Sequence, residues 1–78
     1  MTTFERLVKV FNVVFEDDVS SDAIKMDANL RDDMGVSSIG MLYMAVALEE
    51  EFEIKFSNED LNNVTTVADV VACIEGKL

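Results

Sequence analysis

The chain has 78 residues, of which 16 are acidic and 6 are basic, and its net charge of −10 argues against binding to nucleic acids or anionic membranes. It contains no histidine and one cysteine, which excludes an internal disulfide, a Ser/His triad and the common zinc sites. This length predicts one domain over residues 1–78, and a helical bundle is the economical way to bury so small a core.

The first residues do not resemble a secretion signal, because they lack its charged and apolar blocks. The apolar runs are too short to span a bilayer. Together with the acidic composition and the absence of histidine, these features lead us to expect a cytoplasmic, non-enzymatic protein whose partners are basic.

Helix one is predicted over about residues 3–16. Thr2 and Glu5 have the spacing of a capping box at its start. Its apolar residues recur at helical spacing: Phe4, Leu7, Val8, Phe11, Val14 and Phe15.

Residues 16–36 lose this periodicity and predict a long loop, with Ile24, Met26 and Leu30 anchoring it to the core. The acidic stretch 17–22 resembles a calcium loop only weakly, because it lacks the glycine and the final glutamate of an EF-hand. No metal site is predicted.

Three further helices complete a predicted all-α four-helix bundle. Helix two covers about residues 38–52, helix three is short and follows Ser57, and helix four covers about residues 66–75. Ser57 with Asp60 and Thr66 with Asp69 have capping-box spacing. The apolar side of helix four is predicted to contain Val67, Val70, Val71, Ile74 and Leu78.

Helix two has two apolar sides. The side that suits the core contains Met41, Met44, Ala45, Leu48 and Phe52. The opposite side contains Ile39, Leu42, Tyr43 and Val46, together with Glu49 and Glu50. An exposed apolar stripe ringed by acids is typical of a docking surface, and the alternative is that the helix is buried on more than one side.

Ser37 and Ser38 stand at the start of helix two. A serine in this place commonly serves as a helix cap. The positive end of the helix dipole also suits a phosphate ester. The pair allows both roles, with Ser37 as the N-cap and Ser38 in the first turn with its hydroxyl outward.

The segment Gly35-Val36-Ser37-Ser38-Ile39 resembles the Gly-x-Asp-Ser-Leu/Ile signature of acyl carrier proteins, whose serine bears 4′-phosphopantetheine. The segments 44–52 and 64–69 resemble the second helix and the entry into the last helix of that family. The resemblance covers the whole chain. It implies that Ser38 is the attachment site and that chemistry is supplied by the cofactor.

The resemblance also implies partners: a phosphopantetheinyl transferase, and acyl-transfer, ligase or synthase enzymes with basic patches that dock on helix two of the monomer. The acyl group, whether fatty, polyketide or aminoacyl, stays open. A long acyl chain would find shelter among apolar residues that equally form an ordinary core: Met44, Leu48, Phe52, Leu61, Val67 and Val71.

The chain departs from the family pattern at Ser37, where aspartate is usual, and at Gly40 and Tyr43, where acids are frequent. These changes favour a specialised pathway with a dedicated enzyme. Gly40 also lowers helix propensity by about 1 kcal/mol relative to alanine. The competing hypotheses are a carrier-like module that is never modified and docks through helix two, and, more remotely, an acidic cation-binding protein.

Overall fold

The computed structural model describes residues 1–15 and 21–78. Regular structure in these ranges consists of a short 3-10 turn and four α-helices: α1 (Thr3–Phe15), the turn (Ser21–Ala23), α2 (Ser38–Phe52), α3 (Asn58–Asn63) and α4 (Val67–Lys77). The predicted all-α bundle with a long connection between α1 and α2 is confirmed.

The predicted capping box opens α1. The Thr2 N–H donates to Glu5 Oε1 at 2.8 Å, and the Glu5 N–H donates to Thr2 Oγ1 at 3.1 Å. Leu7 and Phe11 are fully buried. The other predicted apolar residues of this helix are partly buried: Phe4, Val8, Val14 and Phe15.

The connection to α2 is anchored by Ile24 and Leu30, as predicted, and also by Ala28, Met34 and Val36, all of which are buried. The predicted anchor Met26 is wrong, since its side chain is 44% exposed. Its backbone contributes instead, because the Met26 carbonyl accepts a hydrogen bond from the Ala68 N–H at 2.8 Å. Sequence alone could not separate these two roles of one residue.

Two more backbone hydrogen bonds join this connection to the start of α4. The Leu30 N–H donates to the Thr65 carbonyl at 3.0 Å, and the Val67 N–H donates to the Ala28 carbonyl at 3.1 Å. The connection before α2 is therefore held by hydrogen bonds to the residues at the start of α4.

Helix α2 has the predicted bounds and lies antiparallel to α1. Phe15 at the end of α1 packs near Gly40 at the start of α2, whereas Arg6 near the start of α1 bonds Glu51 near the end of α2. The whole predicted core side of α2 is buried: Met41, Met44, Ala45, Leu48 and Phe52. Helix α2 ends at Phe52, and its C-cap Glu53 has a left-handed φ of 56°.

Helices α3 and α4 both begin with the predicted capping boxes, at Ser57 and Thr66. A salt bridge of 2.9 Å between Lys77 Nζ and Asp60 Oδ2 joins the two helices. Helix α4 runs two residues beyond its predicted end at Glu75. Its buried residues are Val67, Val70, Val71 and Ile74. The prediction for Leu78 is wrong, because this residue follows the helix and is 68% exposed.

Candidate functional site at the start of helix α2

A left-handed turn leads the chain into α2. Gly35 has a φ of +69°, a conformation that favours glycine. Met34 and Val36 on either side of it are buried, and the Val36 N–H donates to the Leu30 carbonyl at 2.8 Å. The following two serines therefore leave the loop from a fixed position.

Ser37 is the N-cap of α2, as predicted. Its backbone is extended, and its Oγ accepts a hydrogen bond from the Gly40 N–H at 3.0 Å. The Ser37 carbonyl accepts the first helical hydrogen bond, from the Met41 N–H at 2.9 Å. Capping thus occupies the Ser37 hydroxyl.

Ser38 is the first residue of α2 and is exposed. The N–H groups at the start of a helix have no partner within it, and the helix dipole there is positive. Four hydroxyls among the described residues accept capping hydrogen bonds at helix starts: Thr2, Ser37, Ser57 and Thr66. Because Ser37 performs this role in α2, the Ser38 hydroxyl is available for chemistry.

Gly40 in the first turn has a packing role. A Cβ at this position would lie 3.2 Å from Val36 Cγ1 and 3.3 Å from Phe15 Cε1, closer than ordinary contacts. The missing side chain lets the Phe15 ring approach the helix. Glycine lowers helix propensity at this position, but it allows α1 and the loop to pack closely against the start of α2.

The outer side of α2 is apolar and exposed, as predicted. The exposed fractions lie between 55% and 66% for Ile39, Leu42, Tyr43 and Val46. Helix α2 has no acidic residue in its first turn. A molecule that approaches Ser38 therefore meets an uncharged surface over the first turns of the helix.

A family model described as phosphopantetheine attachment site matches residues 5–74, a range that includes Ser38. The chain belongs to this phosphopantetheine attachment family. The resemblance of the sequence to acyl carrier proteins is confirmed.

Three curated relatives align with most of this chain. An acyl carrier protein of Prochlorococcus marinus (strain MIT 9515) is 37% identical over 99% of this chain and 98% of its own. Another, from Campylobacter fetus subsp. fetus (strain 82-40), is 32% identical over 97% and 96%. A third, from Bdellovibrio bacteriovorus (strain ATCC 15356 / DSM 50701 / NCIMB 9529 / HD100), is 34% identical over 88% and 90%.

Phosphopantetheine, the group of this family, fits the start of α2. The group is joined through a phosphate ester, which needs a free hydroxyl and gains from the unpaired N–H groups of a helix start. Ser38 offers that hydroxyl at the surface, whereas the Ser37 hydroxyl is held by the Gly40 N–H.

The two acids placed on the outer side of α2 differ. Glu49 is half-buried, and its Oε2 accepts a hydrogen bond from the Phe56 N–H at 2.7 Å, which fastens the segment after α2. Glu50 is exposed and lines a groove between α1 and α2. No sequence signal links Glu49 to Phe56, because the contact depends on how the chain turns after Glu53.

Five of the six residues expected to shelter an acyl chain belong to one buried cluster: Met44, Leu48, Phe52, Val67 and Val71. The sixth, Leu61, is half-buried and lines a surface groove together with Met41 and Asn62. In this structure the five residues pack as an ordinary core.

Cys73 is half-buried and unpaired. Burial, and secondarily the negative charge of Asp60, raise the pKa of its thiol, which disfavours the reactive thiolate. The described residues contain no group of three or more acids or cysteines arranged to hold a metal ion. Residues 17–20 of the weak calcium motif lie outside the described residues.

None of the helices in the described ranges combines the length and the apolar character needed to cross a bilayer.

Proposed function

We propose that the protein is an acyl carrier protein with 4′-phosphopantetheine attached to Ser38. It would hold acyl intermediates as thioesters on the arm and deliver them to fatty-acid, polyketide or related biosynthetic enzymes. The observation that carries this proposal is the division of roles between two adjacent serines: Ser37 caps α2, and Ser38 leaves its hydroxyl exposed at the same helix start.

The protein acts as a carrier and not as a catalyst. Its contribution to arm transfer from coenzyme A is the Ser38 hydroxyl, and the transferase supplies the general base. When bound, the arm supplies the thiol on which an acyl group travels. The fixed turn at Gly35 and the Ser37 cap orient Ser38 for both encounters.

Docking of partner enzymes is proposed for the outer side of α2. Ile39, Leu42, Tyr43 and Val46 supply exposed apolar contacts, and Glu50 supplies a charge that basic patches would complement. Glu49 is proposed to lie at the margin of this surface. Its Oε2 accepts the hydrogen bond from the Phe56 N–H, so its other carboxylate oxygen would contact the partner.

Shelter for a long acyl chain is proposed among the core residues Met44, Leu48, Phe52, Val67 and Val71, with Leu61 at the edge. Because these residues are close-packed, α2 would have to move away from its neighbours to admit a chain. The methionine in this set favours such adaptation, since its side chain is flexible.

One carrier domain spanning residues 1–78, monomeric and cytoplasmic, completes the proposal. The net charge of −10 opposes association between copies.

The second candidate is a carrier-like module that docks partners through α2 and is never modified. The uncharged first turns of α2 favour this candidate. Two positions there that are often acidic in the family are occupied in this chain by Gly40 and Tyr43.

The deciding experiment is the intact mass after incubation with coenzyme A and a broad-specificity phosphopantetheinyl transferase. We expect one added arm in the wild type and in Ser37→Ala, and none in Ser38→Ala. Circular dichroism of each variant checks that it is folded. An unmodified wild type, with the transferase active on another carrier, would favour the second candidate; an arm retained in Ser38→Ala would move the attachment site.

A further inference from the structure

Two open surface depressions lie side by side between α1 and α2. One, of about 320 Å³, lies beside the start of α2, where Phe15, Gly40 and Tyr43 line it. The other, of about 370 Å³, is lined by Val10, Val13 and Ala47. Val14 lines both, so the two depressions adjoin, and we call them together the α1–α2 groove.

The helical register places the two parts of the α1–α2 groove one turn apart along both helices. Tyr43 and Ala47 are one turn apart on α2, and Val10 and Val14 are one turn apart on α1. From Ile39 to Glu50 the groove follows about 16 Å of α2, at a rise of 1.5 Å per residue.

Exposed apolar side chains border this groove. Val13 is 75% exposed on α1, and Ile39 and Tyr43 are both 66% exposed on α2. A contiguous apolar surface of this kind usually marks an interaction site on a small protein. Lys9 and Glu50 line its far end from opposite helices, so charge is confined to that end.

The residues at the end of the groove beside Ser38 indicate which partner occupies it. Gly35, Ser37 and Ile39, which surround Ser38 in the sequence, all line it. An enzyme that holds Ser38 in its active site therefore lies beside the opening of the groove. A second copy of the chain is a poor occupant, because each copy has a net charge of −10.

We propose that the phosphopantetheinyl transferase that modifies Ser38 inserts an apolar side chain into the α1–α2 groove between Val13 and Tyr43. This rests on the proposed function, because it requires Ser38 to be the modified residue. It adds α1 to a docking surface that otherwise consists of α2 alone, and it makes apolar contact the main source of affinity near the serine.

The test measures kcat and KM for arm transfer from coenzyme A by a broad-specificity transferase. Val13→Gln removes an exposed apolar contact, and Ala47→Leu fills the groove without adding polarity. Leu78→Gln is the matched control, since Leu78 is 68% exposed but lies after α4. We expect KM to rise about tenfold in both groove variants with kcat unchanged, and neither value to change in the control.

Thermal melting of each variant separates a docking effect from a loss of fold, and Val13→Gln is expected to melt with the wild type. Unchanged KM in Val13→Gln and Ala47→Leu, with normal modification of the wild type, would overturn the groove proposal alone. Failure of the wild type to gain the arm would overturn the proposed function and the groove proposal together.

Discussion

The guanidinium of Arg6 stacks on the ring of Phe52, with its carbon 4.3 Å from the ring centroid. The same side chain donates to the Glu51 carboxylate at 2.9 Å and to the Glu51 backbone carbonyl at 2.8 Å. One residue of α1 thus satisfies a carbonyl at the end of α2 and covers a core aromatic ring.

Arg6→Lys should lower the free energy of unfolding by about 1–2 kcal/mol, because lysine keeps the charge but loses the planar stack and the paired hydrogen bonds. Arg31→Lys, at an exposed loop position, is the control and should change it little. Urea denaturation measures both. Equal stability of the two variants would show that the Arg6 contacts contribute nothing beyond charge.

Gly40→Ala tests the close approach at the start of α2. Alanine favours the helix by about 1 kcal/mol, but its Cβ would crowd Val36 and Phe15 at 3.2 and 3.3 Å. We expect Gly40→Ala alone to give no gain in stability. When Phe15→Leu is also present, we expect Gly40→Ala to raise stability relative to Phe15→Leu alone. Gly76→Ala, where a Cβ meets nothing within 4 Å, should be stabilising without a second change.

Melting temperatures of Gly40→Ala, Phe15→Leu, the double variant and Gly76→Ala complete this comparison. A stabilised Gly40→Ala single variant would mean that the Phe15 ring moves aside freely. The glycine would then have no packing role.

The capping box of α4 should make stability depend on acid pH. Hydrogen bonds from the backbone N–H groups of Thr66 and Thr65 lower the pKa of Asp69 below its usual value of 3.8. A carboxyl whose pKa is lower in the folded state stabilises the fold above its unfolded pKa. This contribution is lost as the pH falls from about 3.8 through the lower folded pKa.

Asp69→Asn should therefore melt below the wild type at pH 7, with the difference shrinking as the pH falls below about 3.8. Melting followed by circular dichroism across this range measures it. Asp32→Asn, at an exposed loop position, is the comparison variant. A difference that stays constant with pH would show that the Asp69 charge is not the cause.

Local signals predicted much of this structure. The caps at Thr2, Ser37, Ser57 and Thr66 depend on neighbours three residues away, and this is why the helix starts were predictable. The buried and exposed sides of α2 followed from helical spacing. The role of Ser38 came from the resemblance, since a serine at a helix start is in itself ambiguous.

Contacts between distant segments were not predictable. Met26 was expected in the core for its apolar side chain, yet its backbone makes the connection to Ala68. The Arg6 stack on Phe52 joins residues in different helices, with no local signal in the sequence. The packing role of Gly40 also required the position of Phe15, which only the assembled bundle supplies.

Charge at the proposed docking surface can be tested by reversal. Glu50→Lys should weaken binding to an enzyme with a basic patch, and the loss should shrink as salt is raised, because salt screens exposed charges. Glu59→Lys on α3 is the matched control, since it changes the net charge equally. KM for arm transfer, measured at low and high salt, should rise more in Glu50→Lys. Equal effects would assign any loss to overall charge.

The backbone bonds between the α1–α2 connection and the start of α4 affect when the site forms during synthesis. Leu30 and Ala28 are held by Thr65 and Val67, which follow Ser38 by more than two dozen residues. A nascent chain that still lacks residues 65–67 lacks these partners, although Ser38 has already been made. Presentation of Ser38 in its fixed setting therefore has to wait until residues 65–67 have been made and can pair with the connection.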